Sequence, residues 1–341
     1  MNPTQFTLRI CLVSVALACL PGAATGTQTE LTSGESISLK GSGQLPPGTT
    51  LKAIKRKGSV VYALLGPQAR RAGGFRIVAT RADGSVAHNY AIPEPDLFDF
   101  DIASTGQLYV LMNAKGSPEL RGYGGKGEIS ERVNLPQQYL KLKLTAGGIA
   151  LLTGTGDVHV GRISGNRFSV VRSIPQVVPP TPGACCNLIS VVRYLMDESA
   201  TGELLLLDRA DLLLYAVNLS SGQVRQALLQ SPDTDAARAN YQKIQDGFAT
   251  QTPSKGKLAT GMIGLAMSVD DSGAVWLVLS PVDRRKGAVL NQFDASGKYR
   301  GAFTCRLAGK DGSILDPVSL DVTSSRILLT ARSGMAATYA R

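Results

Sequence analysis

The sequence predicts an all-β fold built from repeated four-strand units, and three observations carry that prediction. Turn glycines Gly58, Gly106, Gly148, Gly202 and Gly273 recur 48, 42, 54 and 71 residues apart. Each is followed by a short apolar segment, and further turn signals divide the intervals into strand-sized pieces. The second segment of each unit, as in QLYVLMN and AVWLVLS, is apolar almost throughout. A strand with one wet face would alternate, so these strands are expected to be covered on both sides.

The clearest unit runs from Met262 to Leu307: MIGLAMSVD, a turn at Asp271-Ser272-Gly273, AVWLVLS, a loop, AVLNQFD, a turn at ASGK, and YRGAFTC. The same order recurs from Leu97 with LFDFDIA, QLYVLMN, ELRGYG and ISERVNL. Weaker copies begin at Leu51, Tyr139 and Leu188, and a last one, from Val318, holds only VSLDVT, RILLTA and MAATYAR before the chain ends. Six units of four short strands with periods in the forties are the pattern of a β-propeller, in which each antiparallel blade is sandwiched between its neighbours. The expected fold is therefore a six-bladed β-propeller of four-stranded antiparallel blades. The strand missing from the last blade is expected from the N-terminal segment Glu35-Ser36-Ile37-Ser38-Leu39-Lys40, which alternates and precedes the first unit.

Residues 1–26 are set apart from the fold. Arg9, an apolar run from Ile10 to Leu20 and the small residues of PGAATG have the layout of a secretory signal peptide. The run is too short for a permanent membrane span, and no later segment is longer, so a secreted or periplasmic protein without a transmembrane segment is expected. An alternative is lipid anchoring at Cys19 through the box Ala16-Leu17-Ala18-Cys19. The domain proper is then 27–341, with an insertion at 231–261 between the fourth and fifth blades. Within the insertion Ala237, Tyr241, Ile244 and Phe248 fall at helical spacing behind possible N-caps Asp233 and Asp235, which predicts a short amphipathic helix.

Composition narrows the function classes. Charged residues make up 18% of the chain and are dispersed, which argues against disorder or coiled coil. The net charge is +10, yet aromatic residues are only 6% and the basic residues do not cluster, so nucleic acid is not an expected partner. Beyond the leader the cysteines are Cys185, Cys186 and Cys305, an odd number, so at least one is not paired within the chain. Cys185 and Cys186 could form a strained vicinal disulfide or remain buried thiols.

Val269-Asp270-Asp271-Ser272-Gly273-Ala274-Val275-Trp276 and Phe293-Asp294-Ala295-Ser296-Gly297-Lys298 resemble the repeat of the NHL-type six-bladed β-propellers, and the stretch from Ile102 to Tyr109 is similar. The resemblance implies that loops entering each first strand, and loops joining second to third strands, gather at one channel mouth. It would place Glu94, Asp96, Asn187 and Asp316 there, with Gln137, Gln138, Cys185 and Cys186. Arg70, Arg71, Lys115, Arg284, Arg285 and Lys286 would form a basic collar. Such a collar could steer a protein, a peptide or an anionic glycan by summed potential. A binding or interaction module without a cofactor is the leading expectation.

The alternative is a calcium-assisted hydrolase resembling the lactonase-like propellers, with Glu94, Asp99, Asn187 and Asp316 as candidate ligands. That set is incomplete, because the first strands at Tyr139 and Met262 offer mainly apolar or lysine side chains, and Asp99 and Asp101 suit structural hydrogen bonds. His88 and His159 are expected on an outer and a third strand, away from the channel, and no G-x-S-x-G elbow occurs.

Overall fold

The computed structural model describes residues 29–31, 49–67, 74–81, 83–180, 193–251, 262–280, 287–308, 313–332 and 336–341. Strand β1 (Thr29–Leu31) is followed by a first meander of β2 (Thr49–Lys57), β3 (Val60–Pro67), β4 (Phe75–Thr80) and β5 (Val86–Ile92). The second holds β6 (Leu97–Ile102), β7 (Leu108–Ala114), β8 (Ser117–Tyr123) and β9 (Ile129–Asn134). The third holds β10 (Tyr139–Thr145), β11 (Gly148–Thr153), β12 (Val158–Ser164) and β13 (Arg167–Ile174). β14 (Tyr194–Glu198), β15 (Leu204–Asp208), β16 (Leu213–Val217) and β17 (Val224–Leu228) make the fourth. Helix α1 (Pro232–Gln251) leads to the fifth, β18 (Gly264–Val269), β19 (Val275–Leu279), β20 (Ala288–Phe293) and β21 (Tyr299–Cys305). β22 (Pro317–Val322), β23 (Arg326–Ala331) and β24 (Ala336–Ala340) form a last, three-stranded meander.

Every meander is antiparallel throughout. The second and third are joined at their outer edges by one parallel pairing, Arg167 with Asn134. The arrangement is propeller-like. β2 adjoins β6, β6 adjoins β10, and so on through β14 and β18 to β22, which in turn adjoins β2. Second strands are sealed on both faces as their composition demands: all five residues of β15 and all five of β19 are buried. Each fully buried leucine there contributes about 2 kcal/mol relative to exposure.

The apolar clusters lie between neighbouring meanders. Tyr62, Ile77 and Tyr90 pack with Phe100, Val110 and Tyr123, and Leu205, Leu214 and Ala237 pack with Val275, Leu277 and Phe293. Leu51, Ile54, Val61 and Ala63 of the first meander pack with Leu328 and Ala336 of the last.

The Asp-x-x-Gly turns explain themselves chemically. Asp270 Oδ1 accepts from the Ser272 and Ala274 amides, and Asp294 Oδ1 accepts from those of Ser296 and Lys298. Gly273 and Gly297 take φ values of +82° and +84°, which cost little only for glycine. Asp270 Oδ2 also receives the Trp276 indole N–H at 2.9 Å and Arg341 Nη1 at 2.6 Å, which ties the C-terminal residue to the core.

Two elements differ from expectation. β1 pairs in parallel with β21, Thr29 with Phe303 through Leu31 with Cys305, so the chain's first described strand widens the fifth meander. Residues 35–40, expected on the last meander, lie outside the described residues. Helix α1 starts earlier than its aspartates suggest, because Ser231 is its cap. The Thr234 amide donates to Ser231 Oγ and the Ser231 amide to Thr234 Oγ1, with Pro232 at the first helical position. Ala237 is buried and Tyr241 packs on the same cluster, while Ile244 is exposed.

Candidate functional site

The first strands meet in a polar layer built from alternating charges. Lys55 of β2 lies 3.4 Å from Asp99 and 3.7 Å from Asp101 of β6. Lys143 of β10 lies 3.9 Å from Asp101 and 2.7 Å from Asp197 of β14, and Arg56 of β2 reaches Asp321 of β22 at 2.6 Å. The same side chains stitch each meander to the next. Asp99 Oδ2 accepts from the Leu142 amide, Asp101 Oδ2 from Leu144 and Asp197 Oδ2 from Val269. Ser268 Oγ accepts from Val322 and Ser319 Oγ from Ile54.

A repeated backbone device sets this register. β2, β6, β10, β18 and β22 each carry a register shift near their start, between Leu51 and Ala53, Leu97 and Asp99, Tyr139 and Lys141, Gly264 and Ala266, and Pro317 and Ser319. An extra residue there re-aims the side chains that follow.

Electrostatics follow the pairing. Burial acts to raise the Asp101 pKa, but Lys55, Lys143 and two backbone amides outweigh it and hold the carboxyl below its ordinary value. Burial acts to lower Lys143, yet Asp197 and Asp101 raise it above the usual lysine range. Asp321 is pushed up by burial, against the pull of Arg56.

Four further cations lie at the end where first strands begin. Lys52 sits in the register shift of β2, Lys141 follows that of β10, Arg209 follows β15, and Arg332 follows β23. Backbone bonds tie two of these positions to the starts of neighbouring first strands: the Leu51 amide donates to Arg332 O, and the Ile263 and Gly264 amides donate to Arg209 O. Arg209 is half-buried, with Nε and Nη2 donating to Gly264 O and Leu265 O at 2.7 and 3.0 Å. Burial, with Arg332 adding, pushes its pKa down to about 10. Lys141 is lowered by burial, then by Lys55 and Arg209 against the opposing pull of Asp99; Lys52 is lowered by burial and by Arg332. Among the described residues no carboxylate lies within ion-pair distance of Lys52, Lys141 or Arg332.

The residues singled out from sequence are distributed differently. Glu94 is engaged by the buried Arg121, which also bonds Glu119. Asp96 and Asp316 are exposed at the starts of β6 and β22. Asp99 is occupied by Lys55 and by the Phe100 and Leu142 amides. Gln137 and Gln138 stand immediately before β10, and Lys115 lies in the turn between β7 and β8. Asn187, Arg70, Arg71, Arg284, Arg285, Lys286, Cys185 and Cys186 lie outside the described residues. Cys305 is a buried free thiol whose pKa is raised by burial.

Among the described residues, no group of three or more His, Cys, Asp or Glu side chains is placed to hold a metal ion. His159 Nδ1 bonds the Tyr139 hydroxyl at 2.9 Å, and burial lowers its pKa; His88 lies on the outer strand β5. No described helix is long and apolar enough to cross a membrane. Lys52, Lys55, Lys141, Lys143, Arg209 and Arg332 were not singled out as site residues from sequence. The available signal was the recurrence of charges two or three residues apart in LKAIKRK, LFDFDI and YLKLKL, which becomes visible only when first strands are aligned with one another.

No family model matches the chain, and no curated protein matches it. Among solved structures it is similar to a protein of unknown function from Bacteroides caccae, at 14% identity and a TM-score of 0.48 over 81% of this chain and 88% of that one. It is also similar to a catalytically inactive virginiamycin B lyase from Staphylococcus aureus with quinupristin, at 10% identity and a TM-score of 0.49 over 86% and 96%. The C-terminal WD40 domain of Sif2 gives 7% identity and a TM-score of 0.49 over 90% and 85%.

Proposed function

We propose that the protein is a secreted six-bladed β-propeller of the NHL-like kind that acts as a binding module, with its ligand site at the channel mouth. The observation that carries this reading is the division of labour along the first strands. Asp99, one of the candidate calcium ligands, and the neighbouring carboxylates Asp101 and Asp197 each accept a backbone amide from the next meander and sit within reach of a lysine. Among the described residues Lys52, Lys141 and Arg332 have no carboxylate within ion-pair distance. The partner class is a protein, peptide or glycan with acidic groups.

Closure into a ring is supported by the bonds from Ser319 and Asp321 to the first meander. The proposed fourth strand of the last blade is Glu35–Lys40. The last meander lies between the first and the fifth, and the chain runs from β1 on the fifth to β2 on the first. Export by the leader 1–26 releases a free mature chain; lipid attachment at Cys19 would instead add the mass of acyl chains to it.

A calcium titration followed by thermal melting tests the choice against a calcium-assisted hydrolase using Glu94, Asp99, Asn187 and Asp316. An ion held only by the folded state raises Tm. The binding-module reading expects no rise at millimolar calcium, with salt-sensitive capture of acidic ligands on a glycan or peptide array. A calcium-dependent rise in Tm would replace it with the hydrolase.

A further inference from the structure

The last strand of each meander turns its outer edge away from the first strands, and these edges differ from one another. β21 is covered by β1, which adds to it in parallel, from Thr29 opposite Phe303 to Leu31 opposite Cys305. β13 is the opposite case. Among the described residues its outer edge pairs only at Arg167, with Asn134 of β9. The five consecutive residues from Ser169 to Ser173 are all exposed, whereas no other last strand has more than two exposed residues in a row. Two of the five are apolar: Val170 is 42% exposed and Val171 70%.

The register explains how the valines come to face water. Gly161 of β12 pairs with Val170 and Val160 with Arg172, which leaves Val171 as an extra residue that bends the strand and re-aims its side chains. The surrounding charge has one sign. From Val158 to Ile174 the β12–β13 hairpin carries Arg162, Arg167 and Arg172 and no Asp or Glu. All three arginines are exposed, and among the described residues none has a carboxylate within ion-pair distance. An edge that needed only protection from stray pairing would carry charges or a bulge without adjacent exposed aliphatic side chains. Here the arginines flank two valines.

We infer that the outer edge of β13 is a docking site for an extended acidic segment of a partner protein, which adds to the third meander as a further strand. Its backbone would pair with β13, its apolar side chains would cover Val170 and Val171, and its carboxylates would meet Arg162, Arg167 and Arg172. Charge decides the occupant. A second copy of this chain would bring three arginines against the same three, whereas an acidic strand offsets them. The β1 pairing, with Glu30 in its middle, shows that a last strand of this fold accepts a further one. The surface stands three strands away from β10, so it is separate from a ligand site at the channel mouth and does not rest on it.

The test is fluorescence anisotropy of the mature chain with a labelled octapeptide of alternating valine and glutamate. One control replaces glutamate by lysine, and a second has every backbone amide N-methylated, which keeps the side chains and abolishes strand pairing. The expected result is saturable binding of the acidic peptide that weakens with added sodium chloride, and no binding of either control. Arg167→Glu/Arg172→Glu should weaken binding about tenfold or more and take up the lysine peptide instead. Val171→Ser, at an exposed position, serves if the double variant does not fold, and should weaken binding about threefold. Equal binding of the N-methylated peptide would reduce the site to charge attraction and overturn the inference. Undiminished binding in the variants would place the peptide elsewhere, the channel mouth included, and would overturn it as well. So would self-association of the parent chain that Val171→Ser abolishes, or capture by phosphatidylserine vesicles with none by the peptide.

Discussion

Lys141 and Lys143 are two residues apart on one strand and live under opposite electrostatic regimes. Lys143 lies between Asp101 and Asp197, and its charge is favoured by the fold. Lys141, one layer nearer the mouth, lies near Arg209 and Lys55 with Asp99 already engaged, and its charge is disfavoured. The difference separates a lysine that helps to hold the meanders together from one that has no such ion pair among the described residues. A buried charge costs several kcal/mol unless it is paired, so the two lysines contribute to stability with opposite sign.

The largest effect should come from breaking the paired layer. Asp101→Ala strips Lys55 and Lys143 of a shared carboxylate and leaves the Leu144 amide unsatisfied. It should destabilise by about 3–5 kcal/mol, read as a fall in the urea midpoint with an unchanged slope. A loss within ~0.5 kcal/mol would mean that the layer does not fasten the sheets.

Asp101 of this layer and the turn carboxylate Asp270 together predict acid sensitivity. Asp101 and Asp270 both have folded pKa values below the ordinary 3.8, so the stability they contribute is complete above that pH. It is lost as pH falls from 3.8 through their lower folded values. Urea titrations between pH 6 and pH 2 should show a flat region and then a decline, and Asp101→Ala should flatten the decline.

A smaller effect is expected away from both layers. Ser231→Ala removes the cap that closes α1 through Thr234, and should cost about 1 kcal/mol. Asp233→Ala and Asp235→Ala should cost less, which would confirm the cap by melting temperatures alone.

Much of the architecture was legible because local chemistry and global packing agree. The turn glycines, the Asp-x-x-Gly pairs and the unbroken apolar second strands each mark one unit. The structure places strands on the expected segments from LKAIK to MAATYAR. The β1 pairing was not legible, since three residues of TEL carry no alternation signal. The Ser231 cap was hidden by two aspartates that are equally good caps on composition. The ion pairs between first strands were not legible, because Lys55 with Asp101 and Lys143 with Asp197 meet only once it is known which first strands are neighbours, a property of the assembled fold.

Whether Lys143 fastens the meanders while Lys141 does not is decided by comparing Lys143→Met with Lys141→Met in the same denaturation experiment. Opposite signs are expected. Losing Lys143 should destabilise by about 3 kcal/mol, because Asp197 and Asp101 lose their partner, and losing Lys141 should leave stability unchanged or raise it by about 1 kcal/mol. If both variants were destabilised alike, the two layers would be doing the same job and the claim would be contradicted.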